Sequence, residues 1–247
     1  MLLAWRQHNV ITYAGYILGF PTDTPETIAR DIEIIKKELP IDILEFLCLT
    51  PLPGSEDHKT LHARGVLMDP DMNNYDLEHV CTAHPRMSKE TWLQVYADAW
   101  THYYTDEHVE TIMRRAVASR LSRRKIRDVL TAFSGSVRIE GVHPLQLGIV
   151  RRKVRTQRRY GMPIPGPLVF YPKAIAECAK AMIQWGVLWY RYQRMIMRIH
   201  ADPAALSYVD EALRPHSGEG DVDKLVDAFA DKIPHTHGAP VRVAAVG

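Results

Sequence analysis

The stretch Val10-Ile11-Thr12-Tyr13-Ala14-Gly15-Tyr16-Ile17-Leu18-Gly19-Phe20 decides how the chain is read. It is rich in apolar and β-branched residues and interrupted only by small ones, the pattern of one continuous strand. A strand apolar on both faces belongs inside a parallel sheet. Pro21-Thr22-Asp23 breaks it, and Thr24-Pro25 starts a helix, with a capping hydroxyl followed by proline at the first helical position. Ile28, Ile32, Ile35 and Leu39 recur at helical spacing, and Pro40 ends the run. A second mostly apolar strand covers Ile43 to Thr50 and closes on Pro51-Leu52-Pro53-Gly54. Strand, helix and strand with short connections make a βαβ unit, so the fold class is α/β.

Outward from this unit the chain turns helical. Residues 1 to 8 read as the end of a helix: Leu2, Leu3 and Trp5 lack a cap before them, and Asn9 suits the C′ position. A short helix follows Ser55 to about Arg64 and ends at Gly65. Residues 66 to 87 read as a long loop, which is usually functional or compactly packed. Ser88, Thr105 and Ser122 each begin a helix, and a helical turn is expected at Leu145 to Val150. Gly161 to Pro167 is a linker-like break. Lys173 to about His200 reads as one long helix crowded with aromatic residues and arginines. From about Pro215 the chain turns polar, with one short helix expected at Val222 to Ile233.

The division is therefore a βα portion over 1–65 and a loop with helices over 66–160. A linker and long helix follow over 161–214, and a mobile tail over 215–247.

Composition is that of a folded protein: 46% hydrophobic and 24% charged residues over 247 residues, which excludes collagen-like and wholly disordered chains. The formal net charge of +2 hides a polarity. Residues 1 to 110 carry 8 basic and 18 acidic side chains, and residues 111 to 160 carry 14 and 2. The 3 cysteines, Cys48, Cys81 and Cys178, are odd in number and far apart. They imply neither a disulfide framework nor the short spacing of a zinc or iron–sulfur ligand set. The default compartment is a reducing cytoplasm. No apolar run reaches the length of a membrane span, and no charged n-region precedes the apolar start.

Two segments carry candidate chemistry. Gly15 and Gly19 weaken a buried strand and so need a reason: close approach of a planar ligand, or tight packing of a helix. A helix N-terminus follows at Thr24 and favours nearby anionic groups. Thr50, Pro51 and Gly54 lie at the end of the next strand, and sites in α/β sheets form at the C-terminal strand ends.

These residues resemble the radical S-adenosylmethionine (radical SAM) superfamily. Gly15-x-Ile17-x-Gly19-Phe20-Pro21-x-x-Thr24, followed by Thr50-Pro51-x-Pro53-Gly54-Ser55, is similar to that family's fifth and sixth strands and their turns. Residues 10 to about 110 resemble most the cobalamin (B12)-binding branch. The resemblance implies a partial (β/α) TIM-like barrel, of which residues 1–65 would be the last strands, followed by a mainly α-helical C-terminal region. It implies that Gly15, Ile17 and Gly19 line the adenine pocket of S-adenosylmethionine and that Thr50 and Pro51 border it. The full-length family uses S-adenosylmethionine and a 4Fe-4S cluster, with cobalamin in the branch.

The departures are equally plain. The family's C-x₃-C-x₂-C cluster motif is absent, as are its glycine-rich segment after strand two and its ribose-contacting strand four. An acidic residue often found three positions after the second glycine falls at Thr22. The expectation is a C-terminal part of a longer enzyme, with Met1 an internal methionine and the N-terminal half of the barrel as its partner. Such a chain is not expected to perform radical chemistry or to bind these cofactors strongly alone, and no catalytic residue can be assigned.

Three further features bear on function. His58, His62, His79, His84, His102 and His108 crowd one stretch, but no carboxylate sits at a diagnostic metal spacing, so no metal site is expected. The basic block from Arg114 to Arg159, with Arg123-Arg124-Lys125 and Arg151-Arg152-Lys153, has few aromatic platforms, which disfavours nucleic acid. The helix from Lys173 carries Met182, Trp185, Trp189, Tyr190 and Tyr192 with interleaved arginines. The alternative function is accordingly a non-catalytic interaction module docking on an anionic membrane surface or a protein partner.

Overall fold

The computed structural model describes residues 2–148, 154–158 and 161–214. Met1–Leu213 form one compact unit, and the expected tail helix and the Arg151 to Lys153 cluster lie outside the described residues. The architecture mixes a small parallel sheet with a helical majority. Its elements are α1 (Leu2–Gln7), β1 (Tyr13–Leu18), α2 (Pro25–Glu38), β2 (Ile43–Cys48), α3 (Glu56–Ala63), α4 (Lys89–Tyr103), α5 (Asp106–Ala118), α6 (Arg123–Gly135) and α7 (Pro167–Ala201).

Most helices begin where a hydroxyl can satisfy an orphan amide. Thr24, Ser55, Ser88, Thr105 and Ser122 each accept from the backbone N–H three residues on. At α2 the cap is reciprocal, since Thr27 Oγ1 accepts from the Thr24 N–H at 2.9 Å. Asn9 and Gly65 take positive φ just after α1 and α3, as their positions require.

β1 and β2 pair in parallel with Tyr13 opposite Ile43, Gly15 opposite Glu45 and Ile17 opposite Leu47. On one face Leu18, Leu44 and Phe46 bury against α2 and α4, where Ile28, Ile32, Trp92, Val95 and Trp100 complete the core. Burying one such side chain contributes ~2 kcal/mol before ordering costs. Phe46 meets Trp100 edge-on at 5.3 Å and Tyr103 at 6.1 Å. Entry into the sheet is pinned by Asp42, which is fully buried. It accepts from the Thr12 N–H at 2.9 Å and the Thr12 hydroxyl at 3.0 Å, and it pairs with Arg6 of α1.

Four expectations need correction. The strand is Tyr13–Leu18, not Val10 to Phe20, because Asn9 turns the chain before it and Gly19, at φ +103°, turns it after. β1 is buried on one face only: Tyr13, Gly15 and Ile17 are exposed, while β2 is covered on both faces. The long helix starts at Pro167 rather than Lys173, with Pro172 inside it. Pro172 lies in the second turn, where it has no N–H to give the Leu168 carbonyl, so the helix runs through one missing rung there. The expected turn near Leu145 is a short 3-10 turn over Pro144–Gln146, preceded by a π-helical turn at Ser136–Glu140.

The sheet's two outer edges differ. Along β2 the Tyr104 hydroxyl accepts from the Leu44 N–H at 3.1 Å and donates to the Leu44 carbonyl at 2.8 Å. The Cys48 N–H donates to the Leu77 carbonyl at 2.7 Å. Along β1, the carbonyls of Thr12 and Leu18 accept from Ile43 and Leu49, so the even-numbered residues between them face β2 as well. Tyr13, Gly15 and Ile17 then point their backbone groups to the far edge. Among the described residues no hydrogen bond reaches them.

Candidate functional site

The C-terminal ends of two parallel strands lie side by side, joined where the Leu49 N–H donates to the Leu18 carbonyl at 2.9 Å. All five residues singled out in the sequence gather at this sheet or its exit turns. Gly15 and Ile17 stand on the exposed face of β1, Gly19 ends that strand, and Thr50 and Pro51 follow β2. Thr50 is held by its own hydroxyl, which donates to the Cys48 carbonyl at 3.0 Å, and Pro51 is buried.

The two glycines separate on inspection. A Cβ on Gly19 would stand 1.8 Å from Trp92 Cζ2, and its φ of +103° already excludes most side chains. Packing of α4 on the strand end thus accounts for Gly19 without any ligand. A Cβ on Gly15 would meet only Leu47 Cδ1, at an ordinary 3.7 Å. Nothing inside the described chain requires glycine there. The turn after Gly19 is also self-satisfied: the Asp23 carboxylate accepts from the Gly19 and Phe20 N–H groups, both at 2.9 Å. The anion at the start of α2 is therefore the chain's own.

Directly opposite Gly15 stands Glu45, a carboxylate in the middle of an otherwise apolar strand and only 6% exposed. Tyr13 donates its phenolic hydrogen to Glu45 Oε2, and His143 Nε2 lies 2.9 Å from Oε1, out of line for a hydrogen bond. Burial pushes the Glu45 carboxyl above its ordinary range and pulls His143 below its own. Both changes have one cause, the loss of water around a charged form. Phe133 of α6 packs on Tyr13 at 5.9 Å and covers this end of the face, leaving Ile17 open. Sequence reading missed Glu45 and His143. The isolated acid within Ile43 to Cys48 was the available signal for the first; His143 had none, since it arrives from a distant turn.

The histidines are dispersed. His79 pairs with Asp76 at 2.8 Å, His102 with Glu33 at 2.9 Å, and His84 Nε2 lies 2.8 Å from the Phe20 carbonyl. Among the described residues no group of three His, Cys, Asp or Glu could hold a metal ion. The thiols do not suit an iron–sulfur cluster either. Burial pushes the Cys48 thiol up to about 12 and Cys81 to about 11, and both donate to backbone carbonyls. A cluster needs thiolates.

Much of the basic block is engaged internally. Arg115 is buried on Asp210 at 2.6 Å and donates to the carbonyls ending α2, at Lys36 (2.8 Å) and Leu39 (3.3 Å). Arg127 stacks on Trp189 at 4.7 Å. Arg123 and Arg124 line an open cleft of about 880 Å³ between α6 and α7. Comparison with family models, curated proteins and solved structures returns no match to this chain.

Proposed function

We propose that this chain supplies the last two strand–helix units of a radical SAM barrel, with part of the pocket for S-adenosylmethionine. The observation that carries the reading is Gly15. It stands on the one open face of the sheet, with no internal packing that calls for glycine, on a strand whose outer edge is unpaired. A preceding barrel strand would pair with that edge, and a planar ring would lie against the bare backbone. Gly15 and Ile17 would hold the adenine side, with Gly19, which Trp92 covers, at the strand end and Thr50 and Pro51 at the border; Glu45 lies within the same face. Bound S-adenosylmethionine supplies an activated sulfonium for reductive cleavage. The cluster that reduces it does not fit this chain's cysteines and would come from the other half of the barrel. Cobalamin, by resemblance to the B12 branch, would be held outside these residues.

The test begins with the coding sequence. A C-x₃-C-x₂-C encoded ~150 to 200 residues upstream, the span of four βα units, is expected. That polypeptide, joined to or co-produced with this chain and reconstituted anaerobically, should bind S-adenosylmethionine by calorimetry. Gly15→Leu should abolish binding while leaving the two parts associated. Unchanged binding in Gly15→Leu, or the lack of any such cysteine motif upstream, would overturn the proposal.

A further inference from the structure

α7 is built in two halves. The C-terminal half is anchored: Trp185, Leu188, Tyr192, Ile196 and Ile199 bury against α5 and α6 at helical spacing. The N-terminal half, up to Gln184, buries Phe170 alone. At about 100° per residue, Leu168, Ile175, Met182, Ile183, Tyr190 and Met197 fall within one arc. All six are exposed, Leu168 at 90% and Ile175 at 68%. Lys173, Lys180, Arg191 and Arg198 form a narrow stripe along one flank of that arc; Arg191 pairs with Asp106 at 2.8 Å and Arg198 with Glu110 at 2.6 Å, so Lys173 and Lys180 supply most of the stripe's charge towards solvent. The helix thus has a buried side, an exposed apolar side and a basic side. Its Lys and Arg number five against the single acid Glu177.

Two occupants could cover an apolar arc of this kind: a second copy of the helix or a lipid surface. A second copy would bring its own basic stripe, and the opposite flank, with Tyr171, Met182 and Trp189, offers no acid to meet it. An anionic bilayer matches both features, taking the apolar arc into the headgroup–acyl boundary and the basic stripe among the phosphates. Tyr190 and Trp189 have the amphipathic rings that settle at such a boundary. No described helix is long and apolar enough to cross a membrane, so α7 would lie along the surface. Arg155 and Arg158 add positive charge at its start, Arg158 stacked over Phe170 at 5.5 Å.

We infer that the exposed arc of α7 docks the protein on an anionic phospholipid bilayer, independently of the chemistry proposed for the sheet. The test is flotation of the full chain with vesicles of phosphatidylcholine alone or mixed with phosphatidylglycerol. The chain should float with the mixed vesicles and remain behind with the neutral ones. Ile175→Asp with Ile183→Asp should abolish flotation, and Lys173→Gln with Lys180→Gln should weaken it about 30-fold. These positions are solvent-facing, and circular dichroism should show both variants folded. Failure to float with phosphatidylglycerol, or flotation undiminished by the aspartates, overturns the inference. A concentration-dependent dimer that the aspartates dissociate, without vesicle binding, would assign the arc to a second copy instead.

Discussion

The Tyr104 hydroxyl stands on both backbone groups of Leu44, accepting from its N–H at 3.1 Å and donating to its carbonyl at 2.8 Å. One side chain, fully buried, thereby takes the place of a neighbouring strand at that point. Burial pushes its phenol well above the usual range, so it stays protonated and keeps the hydrogen it donates. Tyr104→Phe should leave two buried backbone groups without partners and cost about 2–4 kcal/mol, read as a lower urea midpoint at unchanged m-value. A loss under ~0.5 kcal/mol would show that water or a shift of α4 replaces the hydroxyl.

The two glycines of the first strand should respond in opposite ways. Gly19→Ala forces a Cβ to 1.8 Å from Trp92 at a φ of +103°, and about 2–4 kcal/mol of stability should be lost. Gly15→Ala enters ordinary van der Waals distance and should be neutral or stabilising by up to ~0.5 kcal/mol. Thermal melts of both variants check this. Equal losses would mean that the strand, not Trp92, sets the requirement.

His108 sets an acid limit. It is buried against Tyr103 at 4.6 Å with its Nε2 unpartnered, and burial, aided by Arg115 and Lys36, lowers it to about 3. The folded state therefore binds this proton less readily than the unfolded chain, whose histidine titrates near ~6.5. Its contribution is fully present above that value and is lost as the pH falls towards about 3, by up to ~1.4 kcal/mol per pH unit. His108→Phe should flatten the fall in melting temperature between pH 6.5 and 4.5 relative to the parent. Parallel pH profiles would place the acid sensitivity elsewhere, in carboxylates such as Glu33 and Asp76 that pairing holds low.

Arg115 ties three elements at once. From α5 it reaches Asp210 and the two carbonyls that end α2. Arg115→Ala leaves those carbonyls and Asp210 without their shared donor and should cost about 3–5 kcal/mol. Hydrogen exchange should speed up at the C-terminal turn of α2 and around Asp210 together. Faster exchange in only one of them would separate the two contacts.

What was legible in the sequence was local. Thr24-Pro25, Ser55, Ser88, Thr105 and Ser122 announced helix starts, and each is a cap, because the hydroxyl and its amide lie within one turn. The βαβ order and its parallel pairing followed from two apolar runs with a short helical connection. The rest depended on residues distant in sequence. Trp92 explains Gly19, Tyr104 closes β2, and His143 faces Glu45, yet none of these partners is marked by local pattern. The two-sided apolar pattern of β1 overstated its burial, because Tyr13 and Ile17 face a side that α6 covers only at one end. α7 starts a turn and a half before Lys173, because Pro167, though it closes a segment of linker composition, suits the first helical position.

The unequal edges of the sheet also limit how the molecule can multiply. A strand with both edges free can recruit copies without end, which is the route to fibres. Here Tyr104 and Leu77 obstruct β2, and only the β1 side can accept another strand. Copies that meet through that side would join as a closed pair, each consuming the other's free edge. Association through the sheet edge is therefore limited to two copies, and release of the Tyr104 hydroxyl is the change that would lift that limit.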